Sequence, residues 1–226
     1  MQIYLVRHAE ARSNVPDPEN HPFLEAVAKY ETEDPSLTAL GRHQADLTGK
    51  ALASVEFDAI LSSPLHRQIA TAAAIAGYQK KCRKIELVND LFELGVTDYP
   101  CIPTELLQSL YPQAEIAAPS DPDPSGSKKT YGYEEMLTPI PLTERARRVE
   151  RYLTRRFKNN ETVLVVSSGD FMGHYLIPAI LRLPDEVIRQ RVEFHCNNCA
   201  ITQIILNDDG IHSSCAKVND ISHLNA

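Results

Sequence analysis

Short, almost wholly apolar runs alternate with helical stretches along this chain, and this alternation constrains its fold more than any other feature. The runs are Ile3–Val6, Phe57–Leu61, Ile85–Val88, Val163–Val166 and Ala200–Leu206. Strands that are apolar on both faces belong in a sheet covered by helices on both sides, and intervening helices make neighbouring strands parallel. The sequence therefore predicts an α/β fold of three layers, α/β/α, around a mostly parallel central sheet.

Helical periodicity places four helices between these runs, over residues 38–53, 64–77, 142–157 and 170–183. Thr38 is the expected cap of the first helix, and Pro64 is expected at an early position of the second. Within the sheet, Ile85–Val88 is predicted to be an edge strand and Ala200–Leu206 the last strand.

The chain length of 226 residues fits one α/β domain. Two stretches, at about residues 15–36 and 96–141, are rich in proline, which predicts irregular structure there. Because the strand pattern resumes after each of them, residues 1–226 are predicted to form a single domain that carries these stretches as insertions.

Composition excludes several classes of protein. The apolar fraction of 43% is that of a globular protein, and no apolar run reaches the ~20 residues that span a bilayer. The first residues show no secretion signal, so the expected location is the cytoplasm, without a membrane partner. A net charge of −7 argues against nucleic acid as a partner, and an anionic ligand would have to be held by a local group of arginines. The sequence leaves the oligomeric state open, a homo-oligomer included.

Six arginines between residues 145 and 156 and the pair Cys196 and Cys199 are the remaining features that suggest a binding site. The arginines recur with apolar residues at helical spacing, which favours a solvated helix face over an anion-binding surface. The CxxC pair has no second pair to complete a zinc site, so ordinary thiols are favoured over a metal or redox centre. No P-loop, dinucleotide fingerprint or HExxH sequence is present, so neither a cofactor nor a catalytic metal is expected.

Polar side chains with a common chemistry follow the predicted strands. Ligands of an open parallel sheet bind beyond the carboxyl ends of its strands, where this chain places Arg7, His8, Arg67, Glu93 and the helix start at 168–169. Arginines and the free N–H groups of a helix start bind phosphoryl oxygens. These residues therefore predict a phosphoryl-binding site.

The segments that carry these residues resemble, in order, those of the histidine phosphatase superfamily, which includes the cofactor-dependent phosphoglycerate mutases. Residues 5–14 (LVRHAEARSN) are similar to its Arg-His-Gly signature, with Ala9 in place of glycine. The further matching segments are residues 37–45, 62–72, 91–95, 163–171, 197–202 and 219–224. One departure is serious, because Ser168 stands where the family places its second catalytic histidine.

The resemblance implies a phosphoglycerate mutase-like fold and a role for each matching residue. His8 is the expected nucleophile, and Arg7 and Arg67 are expected to hold the transferring phosphoryl group. Glu93 is the expected general acid, with Asp90 a weaker candidate. The expected phosphate ligands are Arg7, Asn14, Arg67, Ser168 and Gly169. Arg12 is expected to face solvent, and His174 is not expected to replace the missing histidine.

These expectations lead to a phosphatase that acts on a phosphorylated small molecule through a phosphohistidine on His8 and is impaired by Ser168. Two alternatives stay open: a degenerate protein that binds a phosphorylated ligand without turnover, and a phosphomutase. A serine hydrolase built on Ser168 is disfavoured, since Val166 and Asp170 occupy the positions where the nucleophile elbow has glycines.

Overall fold

A sheet of seven strands forms the centre of the molecule. The computed structural model describes residues 1–15, 34–94, 104–116, 139–190, 192–207 and 213–225. The strands are β1 Gln2–Arg7, β2 Ala59–Ser62, β3 Ile85–Leu87, β4 Ala114–Ile116, β5 Thr162–Ser167, β6 Ile201–Leu206 and β7 Ser213–Asp220. Their order across the sheet is β4-β3-β2-β5-β1-β6-β7. The pairs from β4 to β1 are parallel, and those that join β1 to β6 and β6 to β7 are antiparallel.

Helices connect and cover the strands. They are α1 Ala39–Ala51, α2 His66–Gly77, α3 Thr104–Leu110, α4 Pro139–Arg156 and α6 Asp185–Arg189. Between α4 and α6 lies α5, a continuous helical run made of Gly169–Phe171, a π-helical segment Met172–Leu176, and Ile177–Ile180. Single 3₁₀ turns occur at Arg12–Asn14, Asn89–Leu91 and Ser222–Asn225.

Alternate residues of the central strand β5 enter two separate cores. Val163 and Val165 pack with residues of α4 and α5, whereas Leu164 and Val166 pack with residues of α2. All four side chains are fully buried. The sheet is therefore covered on both faces, and the predicted three-layer α/β/α architecture with a mostly parallel sheet is confirmed.

Two predictions about the sheet are wrong. Ile85–Leu87 is an inner strand, because Ala114–Ile116 pairs with it from within a stretch that was expected to be irregular. Ala200–Leu206 is not the last strand, because Ser213–Asp220 follows and pairs with it. Both missed strands form the outer edges of the sheet, where greater exposure to solvent removes the apolar run that marks an inner strand. Most of the predicted insertions 15–36 and 96–141 lies outside the described residues.

Helix α1 begins at its predicted cap, and helix α2 begins later than predicted. The Oγ1 atom of Thr38 accepts a hydrogen bond of 3.0 Å from the backbone N–H of Gly41, which confirms the predicted cap of α1. Helix α2 starts at His66, two residues later than predicted, after Leu65 in an extended conformation.

The basic helix α4 is not simply a solvated face, and that interpretation is corrected by its contacts. Arg148 donates two hydrogen bonds to the carboxylate of Asp90, and Arg156 donates two to Glu86. Arg147 binds Asp185 and the backbone of α5. These arginines fasten α4 to the segments beside it. Within the described part of the chain, no helix is both long enough and apolar enough to span a membrane.

Candidate active site

The carboxyl ends of β1, β2 and β5 meet at one edge of the sheet and bring their following residues together. The backbone N–H of His8 donates to the carbonyl oxygen of Ser167 at 3.0 Å, and that of Ser63 donates to Val166 at 3.0 Å. His8, Ser63 and Ser168 therefore lie on adjacent strand ends, and each is almost fully buried. The strand ends at which the sequence predicts the site therefore meet at one edge of the sheet.

His8 is held in one orientation by two hydrogen bonds. Its Nδ1 atom lies 2.8 Å from the carbonyl oxygen of Ala9, and because a carbonyl only accepts, Nδ1 carries the proton. The Nε2 atom accepts from Nε of Arg67 at 3.3 Å. Burial lowers the pKa of His8 well below its usual value, and the charges of Arg67 and Arg7 lower it further. His8 is therefore a neutral imidazole with a lone pair on Nε2.

Arg67 is fixed at the start of α2 by a carboxylate from a distant segment. Asp34 accepts hydrogen bonds from the backbone N–H of His66 at 3.0 and 2.9 Å, and it lies 3.6 Å from Nη1 of Arg67. Both side chains are about 5% exposed. Burial raises the pKa of Asp34 to about 6, in spite of the nearby His66 N–H and Arg67 charge. Asp34 thus orients the guanidinium that faces His8.

Arg7 crosses the start of helix α5. Its Nη1 atom donates to the carbonyl oxygen of Cys196 at 2.7 Å. A Cβ atom at Gly169 would lie 3.0 Å from Nε of Arg7, so only glycine leaves ordinary room for this side chain. The Nε atom of Arg7 is buried and has no hydrogen-bond partner among the described residues. This N–H is therefore a cationic donor that can bind an anion.

Asn14 is oriented by its carbonyl oxygen. Its Oδ1 atom accepts from the backbone N–H of Ala11 at 3.0 Å and from Nδ2 of Asn198 at 3.3 Å. Asn198 also donates to the carbonyl oxygen of His8 at 2.9 Å. With its oxygen engaged in this way, Asn14 keeps its amide N–H groups for another acceptor. Arg12, which was expected to face solvent, is only partly exposed.

Glu93 follows the turn Asn89–Leu91, which the Ser167 hydroxyl ties to the sheet by donating to Leu91 at 2.7 Å. Burial raises the pKa of Glu93, and the charge of Asp170 raises it further. The backbone N–H of Leu94, which donates to Glu93 at 2.9 Å, opposes this shift. A carboxyl group with a raised pKa suits a general acid. Asp90, the weaker candidate, is instead engaged on both oxygens by Arg148.

Ser168 is fully buried and makes contacts that the sequence does not indicate. Its Oγ atom accepts a hydrogen bond from Nε2 of Gln68, a residue of α2 that is also fully buried. The Ser168 hydroxyl is also close enough to Glu93 to lower the pKa of that carboxyl. Ser168 therefore links α2 to the segment that carries Glu93.

The other candidates do not join this group. His174 lies beside Arg7 and Gly169 in a pocket of about 100 Å³, and no described hydrogen bond joins it to His8. Burial raises the pKa of the Cys196 thiol to about 11 and that of Cys199 to about 12, which leaves both thiols protonated. Among the described residues, no three His, Cys, Asp or Glu side chains are grouped to hold a metal ion.

Sequence reasoning missed three residues of the site: Asp34, Gln68 and Asn198. Asp34 lies in a stretch without any periodic signal, 32 residues before the backbone group that it binds. Gln68 and Asn198 lie inside recognised segments, directly after Arg67 and within residues 197–202. Their positions beside motif residues were the available signal, but nothing in the sequence reveals their partners.

Comparison with known proteins identifies the family to which the chain is similar. The family model of the histidine phosphatase superfamily (branch 1) matches residues 3–220. A search of curated proteins gave no match to the sequence.

Solved structures of similar fold cover almost the whole chain. A phosphoserine phosphatase from Entamoeba histolytica, in complex with 3-phosphoglyceric acid, is 21% identical with a TM-score of 0.62, over 99% of this chain and 98% of that one. A putative alpha-ribazole-5'-P phosphatase from Escherichia coli is 21% identical with a TM-score of 0.60, over 97% of both chains. The ecdysone phosphate phosphatase from Bombix mori, in complex with tungstate, is 16% identical with a TM-score of 0.66, over 96% of this chain and 92% of that one.

Proposed function

Because the chain belongs to the histidine phosphatase superfamily, we propose that it hydrolyses a phosphate monoester through a phosphohistidine formed on His8. The observation that carries the proposal is the buried, neutral imidazole of His8, whose Nε2 lone pair faces Arg67. A nucleophile next to a cationic group that binds the phosphoryl oxygens is the arrangement that phosphoryl transfer requires.

In the first step, the Nε2 lone pair of His8 forms a bond to phosphorus while the bond from phosphorus to the ester oxygen breaks. Glu93, whose pKa is raised by burial, acts as the general acid and transfers its proton to the departing oxygen. Arg67 and Arg7 stabilise the charge on the equatorial oxygens, and Asn14 and the N–H of Gly169 add hydrogen bonds. The alcohol leaves, and the phosphoryl group remains on His8.

In the second step, a water molecule attacks phosphorus and the bond to Nε2 breaks. The carboxylate of Glu93 takes the proton of the water, which restores its acid form, and inorganic phosphate is released. If the hydroxyl of a second substrate replaced water, the same site would act as a phosphomutase. The protein's own side chains provide the nucleophile, the acid and the charge stabilisation, so the proposed reaction uses no metal.

Turnover is expected to be slow because Ser168 provides no cationic donor. Loss of one transition-state donor typically costs ~10²–10³ in rate. This substitution also favours the second candidate function, a protein that binds a phosphorylated ligand at His8, Arg7 and Arg67 without hydrolysing it.

The substrate class that we propose is a small phosphorylated molecule. The three structural relatives are named for phosphoserine, alpha-ribazole phosphate and ecdysone phosphate, which are chemically unrelated apart from the phosphate ester. Selectivity is therefore assigned to segments around the phosphate site, for which residues 15–36 and 96–141 are the candidates. The proposed location is the cytoplasm.

Phosphohistidine trapping tests the proposal. The chain is mixed with p-nitrophenyl phosphate and with a panel of phosphorylated metabolites, and acid-labile, alkali-stable phosphate on the protein is measured together with phosphate release. We expect both signals in the natural chain, neither in His8→Asn, and both in the control His43→Asn, which changes an exposed histidine. Binding of phosphate without any phosphohistidine would contradict hydrolysis and support the binding protein.

A further inference from the structure

The carboxamide of Gln68 is a buried polar group with most of its hydrogen-bonding capacity unused. A glutamine side chain has two N–H donors and an oxygen with two lone pairs. Gln68 is fully buried, its Nε2 donates to Ser168, and its Oε1 has no partner among the described residues. Buried polar groups in native proteins are nearly always paired, so this group needs an explanation.

The position of the carboxamide supplies that explanation. Gln68 directly follows Arg67, whose Nε atom lies 3.3 Å from the nucleophilic Nε2 of His8. Its partner Ser168 directly follows Ser167, whose carbonyl oxygen binds the backbone of His8. The unused N–H of Gln68 therefore lies at the same edge of the sheet as the proposed phosphoryl site.

The orientation of the carboxamide does not change this conclusion. If Nε2 contacts Ser168, one of its two N–H groups is used and the other is left. If the carboxamide is turned so that its oxygen accepts from the Ser168 hydroxyl, both N–H groups are left. Either way, at least one N–H is held in a water-poor site without a partner among the described residues.

We propose that Gln68 is a catalytic residue that donates this N–H to a non-bridging oxygen of the phosphoryl group, with Ser168 holding the carboxamide in place. The inference rests on the proposed function, since it assigns a further donor to that reaction. The family has a histidine at the position of Ser168, and its imidazole serves the reaction there. In this chain, the pair Gln68 and Ser168 then supplies a neutral hydrogen bond instead.

The pairing has a steric consequence. Because the Ser168 hydroxyl is already in hydrogen-bond contact with Gln68, a larger side chain at position 168 would meet the carboxamide. Ser168→His alone is therefore expected to gain little activity. Ser168→His combined with Gln68→Ala frees the space for the ring and is expected to raise kcat by about 10² over Gln68→Ala alone, the typical value of one such donor.

Binding of orthovanadate, a mimic of the phosphoryl-transfer transition state, tests Gln68 without requiring turnover. Calorimetry compares the natural chain with Gln68→Met, which keeps the length of the side chain and removes its hydrogen bonds. The matched control is Gln79→Met, which removes a buried glutamine whose Nε2 donates to Leu52 at 3.0 Å. Gln68→Glu is a second variant of nearly identical shape without N–H donors. Melting temperatures establish that each variant is folded.

We expect Gln68→Met and Gln68→Glu to weaken vanadate binding at least about 10-fold and to lower kcat by about 10². Inorganic phosphate should be affected less than vanadate, and Gln79→Met should keep the natural affinity for both anions. Vanadate affinity in Gln68→Met within twofold of the natural chain overturns the assignment. Full activity of Ser168→His alone, without change at position 68, also contradicts it.

The two proposals fail in different ways. Vanadate binding that depends on Gln68, in a chain that forms no phosphohistidine, supports the role of Gln68 and contradicts hydrolysis. Hydrolysis that Gln68→Met leaves unchanged supports the proposed function and removes Gln68 from it. A folded natural chain that binds neither vanadate nor phosphate contradicts both.

Discussion

At the scale of single residues, burial acts in opposite directions on the nucleophile and the general acid of the proposed reaction. Removal from water disfavours the charged form, so it lowers the pKa of His8 and raises that of Glu93. The arginines beside His8 add to its shift. Both shifts favour a deprotonated nucleophile together with a protonated acid, which is the pairing that the first step needs.

The pH dependence of kcat/KM should therefore be bell-shaped. Activity rises as His8 loses its proton, at a pH below its usual 6.5, and falls as Glu93 loses its proton, at a pH above its usual 4.5. Glu93→Gln should remove the falling limb and lower kcat for an alkyl phosphate by ~10²–10⁴. The kcat of Glu93→Gln for p-nitrophenyl phosphate should fall less, because p-nitrophenolate leaves without needing a proton.

Glu56→Gln, a change at an exposed glutamate, is the control and should keep the natural profile. Equal losses of Glu93→Gln on both substrates would show that Glu93 does not protonate the leaving oxygen.

At the scale of elements, the site depends on how closely helix α1 approaches the loop after β1. The backbone N–H of Thr38 donates to the carbonyl oxygen of Glu10 at 3.0 Å, and Thr38 caps α1 through Gly41. A Cβ atom at Gly41 would lie 1.9 Å from the carbonyl oxygen of Glu10. Glycine is required at position 41 because the backbone of α1 packs directly against the backbone of Glu10. Glu10 lies two residues after His8 in the chain.

Gly41→Ala is accordingly expected to lower the free energy of unfolding by about 1–3 kcal/mol through overpacking. It should also reduce kcat, since the loop that follows His8 has to move. Gly77→Ala is the matched control, because Gly77 ends α2 and its Cβ would meet no atom within 4 Å. That variant should be neutral or slightly more stable, as alanine favours the helix. Urea unfolding of both variants measures the difference, and equal stabilities would contradict the close packing.

At the scale of the whole molecule, the sheet protects some cysteines and exposes others. Cys196 and Cys199 are buried in hydrophobic clusters, whereas Cys215 lies exposed on the edge strand β7. The pKa of about 11 for Cys196, two units above the ordinary value, corresponds to a ~10²-fold smaller thiolate fraction.

Alkylation by iodoacetamide at pH 8, followed by peptide mapping, should label Cys215 before Cys196 and Cys199. Cys196 and Cys199 should react at least ~10²-fold more slowly in the native protein, because both burial and the raised pKa limit the thiolate. In urea the difference should largely disappear. Rapid native labelling of Cys196 would show that the segment beside Arg7 opens far more readily than this fold allows.

The sequence by itself determined the three-layer architecture and the residues that follow the strands. Apolar runs such as Val163–Val166 and the cap at Thr38 act over a few residues, so local pattern is enough to find them. His8, Arg67 and Glu93 follow predicted strands, and that position is what brings them to one edge of the sheet.

Only the tertiary structure decided which groups orient this chemistry. Asp34 reaches His66 over 32 residues, and Gln68 reaches Ser168 over 100. The exposed strand Ser213–Asp220 is likewise defined by its pairing with β6, since its residues carry no buried face to mark it. Hydrogen bonds between distant segments leave no periodic trace in a chain, because they depend on where folding places each backbone and not on which residues are neighbours.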